Sequence, residues 1–206
     1  MTDKIINASQ INIVGKDGTP RLTLFNEDHI PNPLFKSEEI LKGHRQNDNI
    51  AGMLFFNPDG TECGGLIYGN NEKPDGTVTA GVSLTLDQFE QDQVLQLLYT
   101  KDGDHHEYGV NLFDRPTTLT IKDQAEIVSE ALSRDNPEEA NKMIEEAYAG
   151  AVQRAFIGKQ NDEITINLFD SKRKPRIRVF IDANDEPHLN FYDADGNITY
   201  SLPPKK

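Results

Sequence analysis

"FYDADGNITYSLP" (residues 191–203) sets Asp193, Asp195, Gly196 and Asn197 between two runs in which apolar and polar residues alternate. It reads either as a calcium loop or as a tight turn between strands, and the choice decides the fold. A helix-flanked calcium loop needs oxygen ligands at its first, third, fifth and twelfth positions, with Gly at the sixth. With Gly196 at the sixth, Asp193 and Asp195 take the third and fifth, but Phe191 and Leu202 fall at the first and twelfth. Neither ligates through its side chain, and the flanks "LNFY" and "ITYSL" alternate like strands. The stretch therefore reads as a hairpin turn. Asp-Gly between alternating runs signals a type I′ turn, in which both central residues take positive φ.

The device recurs at Asp17-Gly18, Asp59-Gly60, Asp75-Gly76 and Asp102-Gly103. Around these turns, residues 10–25 and 50–68 read as hairpins, the second with strands apolar on both faces and with Gly64-Gly65 marking a bulge or a close backbone approach. Further strands fall at 82–86, 94–100 and 108–113. Residues 26–49 form a long polar connection, with "SEEILKG" as one helical turn. Residues 123–132 and 137–156 read as helices. Asn136 caps the second, with Pro137 at its first position and Glu139 at its third. An apolar stripe runs along it from Ala140, Met143 and Ile144 through Ala147 and Tyr148 to Ala151, Val152 and Ala155. That stripe fits either its own sheet or the same helix of a second copy.

The chain then returns to a four-stranded meander, "EITINLFD", "PRIRVFID", "PHLNFYD" and "NITYSLP", and closes on a frayed "PPKK" tail. One face of the meander carries Ile164, Ile166, Leu168, Ile177, Val179, Ile181, Leu189, Phe191, Ile198, Tyr200 and Leu202. The expected fold is mainly β. It consists of antiparallel hairpins and meander, as a sheet or barrel-like, with one inserted helical hairpin. The regions are 1–116, 117–157 and 158–206, in one continuous domain or two small ones.

A net charge of −13 over 206 residues repels phosphate backbones and anionic membrane surfaces as a whole. Nucleic acid and membrane are therefore not expected as partners. Cys63 is the single cysteine, so no internal disulfide forms and a reducing compartment is consistent. The N-terminal stretch has no apolar leader region and no run long enough to span a bilayer, so a soluble cytoplasmic protein is expected. Trp is absent and hydrophobic residues make up a lean 36%, yet their patterning reads as a folded chain.

"INIVGKDGTPRLTL", "AGMLFFNPDGTECGGLIYG", "LDQFEQDQV", "GVNLFDRP" and "FYDADGNITYSLP" resemble stretches of an uncharacterised family of bacterial, β-hairpin-rich proteins. The resemblance covers most of the β-rich sequence and implies a bacterial protein of a recurrent type. It brings no activity, ligand or catalytic residue with it.

Chemistry-bearing residues gather in four places. "DQFEQDQ" sets Asp87, Glu90 and Asp92 around Phe89. Two carboxylates within reach of each other could do acid–base work, and a polar turn folded over the sheet edge explains the same residues. "SKRKPRIR" puts Arg176 and Arg178 on one strand face as candidates for a phosphorylated or acidic ligand, against simple pairing with the surplus carboxylates. His105 and His106 in "GDHHEY" point to opposite faces of a strand and do not converge on one ion, so no metal or other cofactor is expected. Cys63 has no local base and reads as a small strand residue. The leading expectation is a non-enzymatic binding or assembly module that forms a homo-oligomer. The alternative is a carboxylate-dependent hydrolase using Asp87, Glu90 or Asp92.

Overall fold

The computed structural model describes residues 5–45 and 49–204. Residues 1–4 of the stretch read for a leader, 46–48 of the long connection and 205–206 of the closing tail lie outside the described residues.

The alternating runs form strands that pair in chain order. They are β1 (Gln10–Val14), β2 (Pro20–Phe25), β5 (Ile50–Phe56), β6 (Glu62–Glu72), β7 (Val78–Asp87), β8 (Gln93–Asp102) and β9 (His105–Asp114) in the first part. After two helices come β10 (Val152–Gln160), β11 (Glu163–Phe169), β12 (Pro175–Ile181), β13 (Pro187–Tyr192) and β14 (Ile198–Leu202). Together they make one 12-stranded antiparallel meander. β1 and β14 are its two edges and do not pair with each other, so the sheet is open and the barrel-like alternative does not form. In residues 26–49, the short strands β3 (Leu34–Phe35) and β4 (Glu38–Glu39) pair as a separate hairpin. The helical turn expected at "SEEILKG" is thus a strand and a turn.

The helices are α1 (Ile121–Leu132) and α2 (Pro137–Ala147). Thr120 caps α1 in a capping box with Asp123, and Asn136 caps α2 ahead of Pro137, as its sequence predicts. The second helix is shorter than its stripe suggests. It ends at Tyr148, Gly150 turns the chain at φ +90°, and Val152 opens β10. Ala151, Val152 and Ala155 belong to the turn and the strand, not to a helical face. The period-3.6 match past residue 148 is accidental: alternating small and apolar residues of a strand can satisfy both periods over a few positions. β10 pairs with β9 on one side and β11 on the other, which joins the first and last β regions into one sheet. α2 packs on α1, whose buried Gln124 donates to the Ala147 carbonyl at 2.8 Å.

The turns differ from the type I′ expectation in an informative way. At residues 15–19, 57–61, 73–77, 170–174, 182–186 and 193–197, the first residue bonds the fifth and the fourth N–H bonds back to the first carbonyl. Only the fourth residue takes positive φ: Gly18, Gly60, Gly76, Arg173, Asp185 or Gly196. These are three-residue loops closed by a left-handed bulge residue. The Asp before Gly is there as an acceptor. Asp17, Asp59 and Asp75 take the fifth residue's N–H. Asp170, Asp182 and Asp193 open their loops and take the third and fifth N–H groups together. The opening stretch is thus a turn whose Asp193 carboxylate is engaged by the chain's own amides. Of the Asp-Gly pairs, only Asp102-Gly103 belongs to a two-residue turn, with Gly103 first and φ +60°. Both residues of a type I′ turn occur where no glycine stands, at Lys36 and Ser37 (φ 49° and 67°). Thr61 and Gly60 hold that hairpin by accepting from their amides.

The core lies on one side of the sheet. Phe25, Leu54 and Phe56 project from β2 and β5 under Ile30 and Leu34 of the long connection. Phe35, Ile40 and Ala125 continue it between that connection and α1. On the same side, Gly109 and Gly158 oppose each other in β9 and β10, where a Cβ on either would strike the neighbouring strand's backbone. The Phe156 ring covers that gap and is itself buried.

Candidate functional site

The other side of the sheet has no cover among the described residues. Cross-strand partners share a face, so the pairing registers trace its rows. One row runs Ile11, Leu24, Met53, Leu66, Leu84, Leu97, Val110, Ile157, Ile166, Val179, Leu189 and Leu202, one residue from every strand of the 12-stranded sheet. A second row, from Ile13 through Phe55, Leu86 and Leu112 to Leu168, Phe191 and Tyr200, is equally free of charge. A third carries Tyr68, Val82, Tyr99, Tyr108, Ile164 and Ile181, with one charged residue, Lys159 of β10, between Tyr108 and Ile164. Of the residues that make the core, only Ala155 belongs to these rows. Leu86 is 50% exposed, Leu97 46% and Ile164 62%. An antiparallel sheet with one solvated face ordinarily turns polar residues to the water. Here polar residues stand on the core side instead: Thr23, Thr85, Gln96, Asn111, Asn167, Arg178 and Asn190 share one row with Leu54 and Phe156.

Strand spacing of ~4.8 Å makes the face roughly 50 Å long, and rows ~7 Å apart make it roughly 15–20 Å wide. That is on the order of 800–1,000 Å², against the ~300–600 Å² of the largest apolar patch on a typical monomer.

A cavity of about 420 Å³ lies on the core side, between β6–β8, the long connection and α1. Ile30, Leu34, Ile40, Leu54, Ile67 and Ile121 make its apolar wall, and Ser83, Thr85, Asp87 and Gln96 its polar floor. Two ion pairs sit at its margin. Arg45 clasps Glu62 with both guanidinium arms, at 2.7 and 3.0 Å, and also donates to the Pro31 carbonyl. Arg115, itself nearly buried, pairs with Asp92 at 3.2 Å and donates to the Gln93 carbonyl. Asp87 has no hydrogen-bond or ionic partner among the described residues. Burial first, then the charges of Asp92 and Glu62, push its carboxyl up to about 7, against the opposing pull of Arg115 and Arg45.

The "DQFEQDQ" stretch is the turn from β7 to β8, and it divides the three candidate carboxylates. Asp87 faces the cavity. Asp92 is held by Arg115 at its margin. Glu90, at φ +57°, pairs with Lys36 at 2.7 Å. The glutamines tie the turn to the segment before α1: buried Gln91 donates to the Leu119 carbonyl, and Ile121 N–H reaches the Glu90 carbonyl at 2.9 Å. Arg176 lies 3.6 Å from Asp170, and Arg178 pairs with Glu163 while stacking 4.0 Å over the Phe180 ring. His105 approaches Asn161, and His106 approaches Tyr99. Cys63 lies close to the cavity, and burial together with Asp87, Glu62 and Asp59 pushes its thiol up, away from the thiolate. Among the described residues no three His, Cys, Asp or Glu side chains are grouped to hold a metal ion.

Sequence reading singles out neither Arg45 nor Glu62. The one local signal for the cavity is that Ser83, Thr85 and Asp87 alternate with Val82, Leu84 and Leu86, which shows two unlike faces but not which of them is covered. No family model, curated protein or solved structure matches the chain. Among the described residues no helix is long and apolar enough to cross a membrane.

Proposed function

We propose that the chain is a non-enzymatic assembly module that packs its bare sheet face against a second copy of itself. The observation that carries this reading is the uninterrupted apolar row across all twelve strands, exposed to water in the single chain. Two such faces packed together would remove on the order of 2,000 Å² from water, the lower bound of the range for obligate homodimers. A second copy fits this face because it presents a sheet of the same length whose two main rows carry no charge, and two antiparallel sheets pack face to face ~10 Å apart. The surplus carboxylates stay outside the contact. The hydrolase alternative has less support: of Asp87, Glu90 and Asp92, only Asp87 faces the cavity without a salt-bridge partner.

Sedimentation velocity of the full chain between about 1 and about 100 μM tests the proposal over the range of stable and weak self-association. Oligomers across that range support it. A monomer throughout overturns it, and a monomer that sediments with added lipid vesicles assigns the face to a bilayer instead.

A further inference from the structure

The cavity beside β7 carries an inference that does not depend on how copies assemble. Its volume of about 420 Å³ falls within the range of small-molecule sites. Its wall is apolar on the side of the long connection and α1, and its floor offers hydroxyl and amide groups from β7 and β8. The charges around it are nearly balanced. Arg45 is spent on Glu62 and Arg115 on Asp92. Asp87 is left as the charge-bearing group at the floor with no partner among the described residues, and it lines the space where a ligand would lie. A half-buried carboxylate without a direct counter-ion is disfavoured, and a cation that seats on it while covering apolar surface relieves it. An anionic ligand would meet Asp87, Asp92 and Glu62 and find no unpaired arginine.

We propose that this cavity binds a small molecule with a protonated amine head and an apolar body, the ammonium seated on the Asp87 carboxylate and the body against Leu34, Ile40 and Ile121. The amine's N–H donates to the Asp87 oxygens, and the Thr85 hydroxyl, two residues back on the same strand face, is the nearest further acceptor on the floor. Asp87 is largely protonated below neutrality, so binding there displaces its proton to the buffer. The groups facing it are Asp92 and Arg115 from the turn and the segment after β9, Glu62 and Cys63 from β6, and Arg45 and His44 from the long connection.

n-Hexylammonium is the probe, with n-hexanol as its uncharged counterpart, and titration calorimetry of the full chain is the measurement. Affinity for the ammonium is expected to rise about tenfold between pH 6 and pH 8, as a carboxyl of pKa near 7 ionises. At pH 6, calorimetry in two buffers of different protonation enthalpy is expected to show nearly one proton released per ammonium bound. Hexanol shows neither effect. Asp87→Asn, which removes a half-buried charge and keeps the side-chain shape, is expected to fold and to abolish the pH dependence. The proton count comes from the unaltered protein, so the test stands even if that variant does not fold. No binding of the ammonium, equal binding of the alcohol, or binding with no proton released overturns the proposal.

Discussion

Leu97→Asp tests the role of the apolar face at the middle of its longest row, between Leu84 and Val110. In the single chain Leu97 is 46% exposed. The substitution therefore removes little packing there, and the poor strand propensity of Asp costs about 1 kcal/mol. In the assembly the exposed half of the side chain becomes buried. Covering it is worth about 1 kcal/mol, from the ~1.5–3 kcal/mol of a fully buried leucine. An aspartate in its place is a carboxylate buried without a partner, which adds several kcal/mol. Both copies carry the change, so dissociation is favoured by about 6 kcal/mol or more, at least ~10⁴-fold in the constant. Size-exclusion chromatography with light scattering reads the mass, and a urea melt of the resulting single chain reads its stability. The expected result is a folded monomer. Ile166→Asp, in the same row beyond the helices, is expected to behave alike. If both variants keep the parent's oligomeric mass, this face is not the contact and the reasoning fails.

Other outcomes follow from the cavity and the turns. The carboxyl of Asp87 is raised in the folded chain, so its contribution is fully present below about pH 4 and is lost as pH rises through about 7. The loss is on the order of 4 kcal/mol, and urea melts of Asp87→Asn are expected to stay flat over that window. Arg45→Ala leaves Glu62 part-buried without its partner and frees the Pro31 carbonyl; a loss of about 2–4 kcal/mol is expected in the same melts. The carboxylates of Asp170, Asp182 and Asp193 are held below their ordinary range by backbone N–H groups. Their support is present at neutral pH and lost as pH falls below about 4. Asp182→Ala is expected to speed amide exchange at Asn184 and Glu186, read by NMR. With a net charge of −13 on each copy, assembly is expected to strengthen from about 0.05 to about 1 M salt, where screening shortens to ~3 Å, and sedimentation checks it.

Much of this fold is legible from local pattern. The turns at Asp59-Gly60 and Asp193–Asn197 announce themselves because one residue must take positive φ and one side chain must accept neighbouring amides. The apolar set Ile164 to Leu202 is visible because strand period is two. β10 is hidden because Ala151, Val152 and Ala155 continue the helical spacing of α2, and only Gly150 marks the break. The cavity is hidden because Arg45, Glu62 and Asp87 lie on three separate segments that only tertiary packing brings together. Alternation shows that each strand has an apolar face, but not that the long connection covers the opposite one. That is decided by Ile30, Leu34 and Phe35, in a stretch with too few apolar residues to show a period.

Hydroxyl-radical footprinting of the unaltered chain at an assembling concentration, read by mass spectrometry, reports whether the apolar face is covered in the assembly. Tyr68, Tyr108 and Tyr200 lie on the apolar face and are 51%, 46% and 56% exposed in the single chain, while Phe89, 65% exposed in the turn after β7, serves as the internal reference. Packing against a second copy predicts that the three tyrosines are protected while Phe89 oxidises freely. Oxidation of all four in proportion to their single-chain exposure would contradict it.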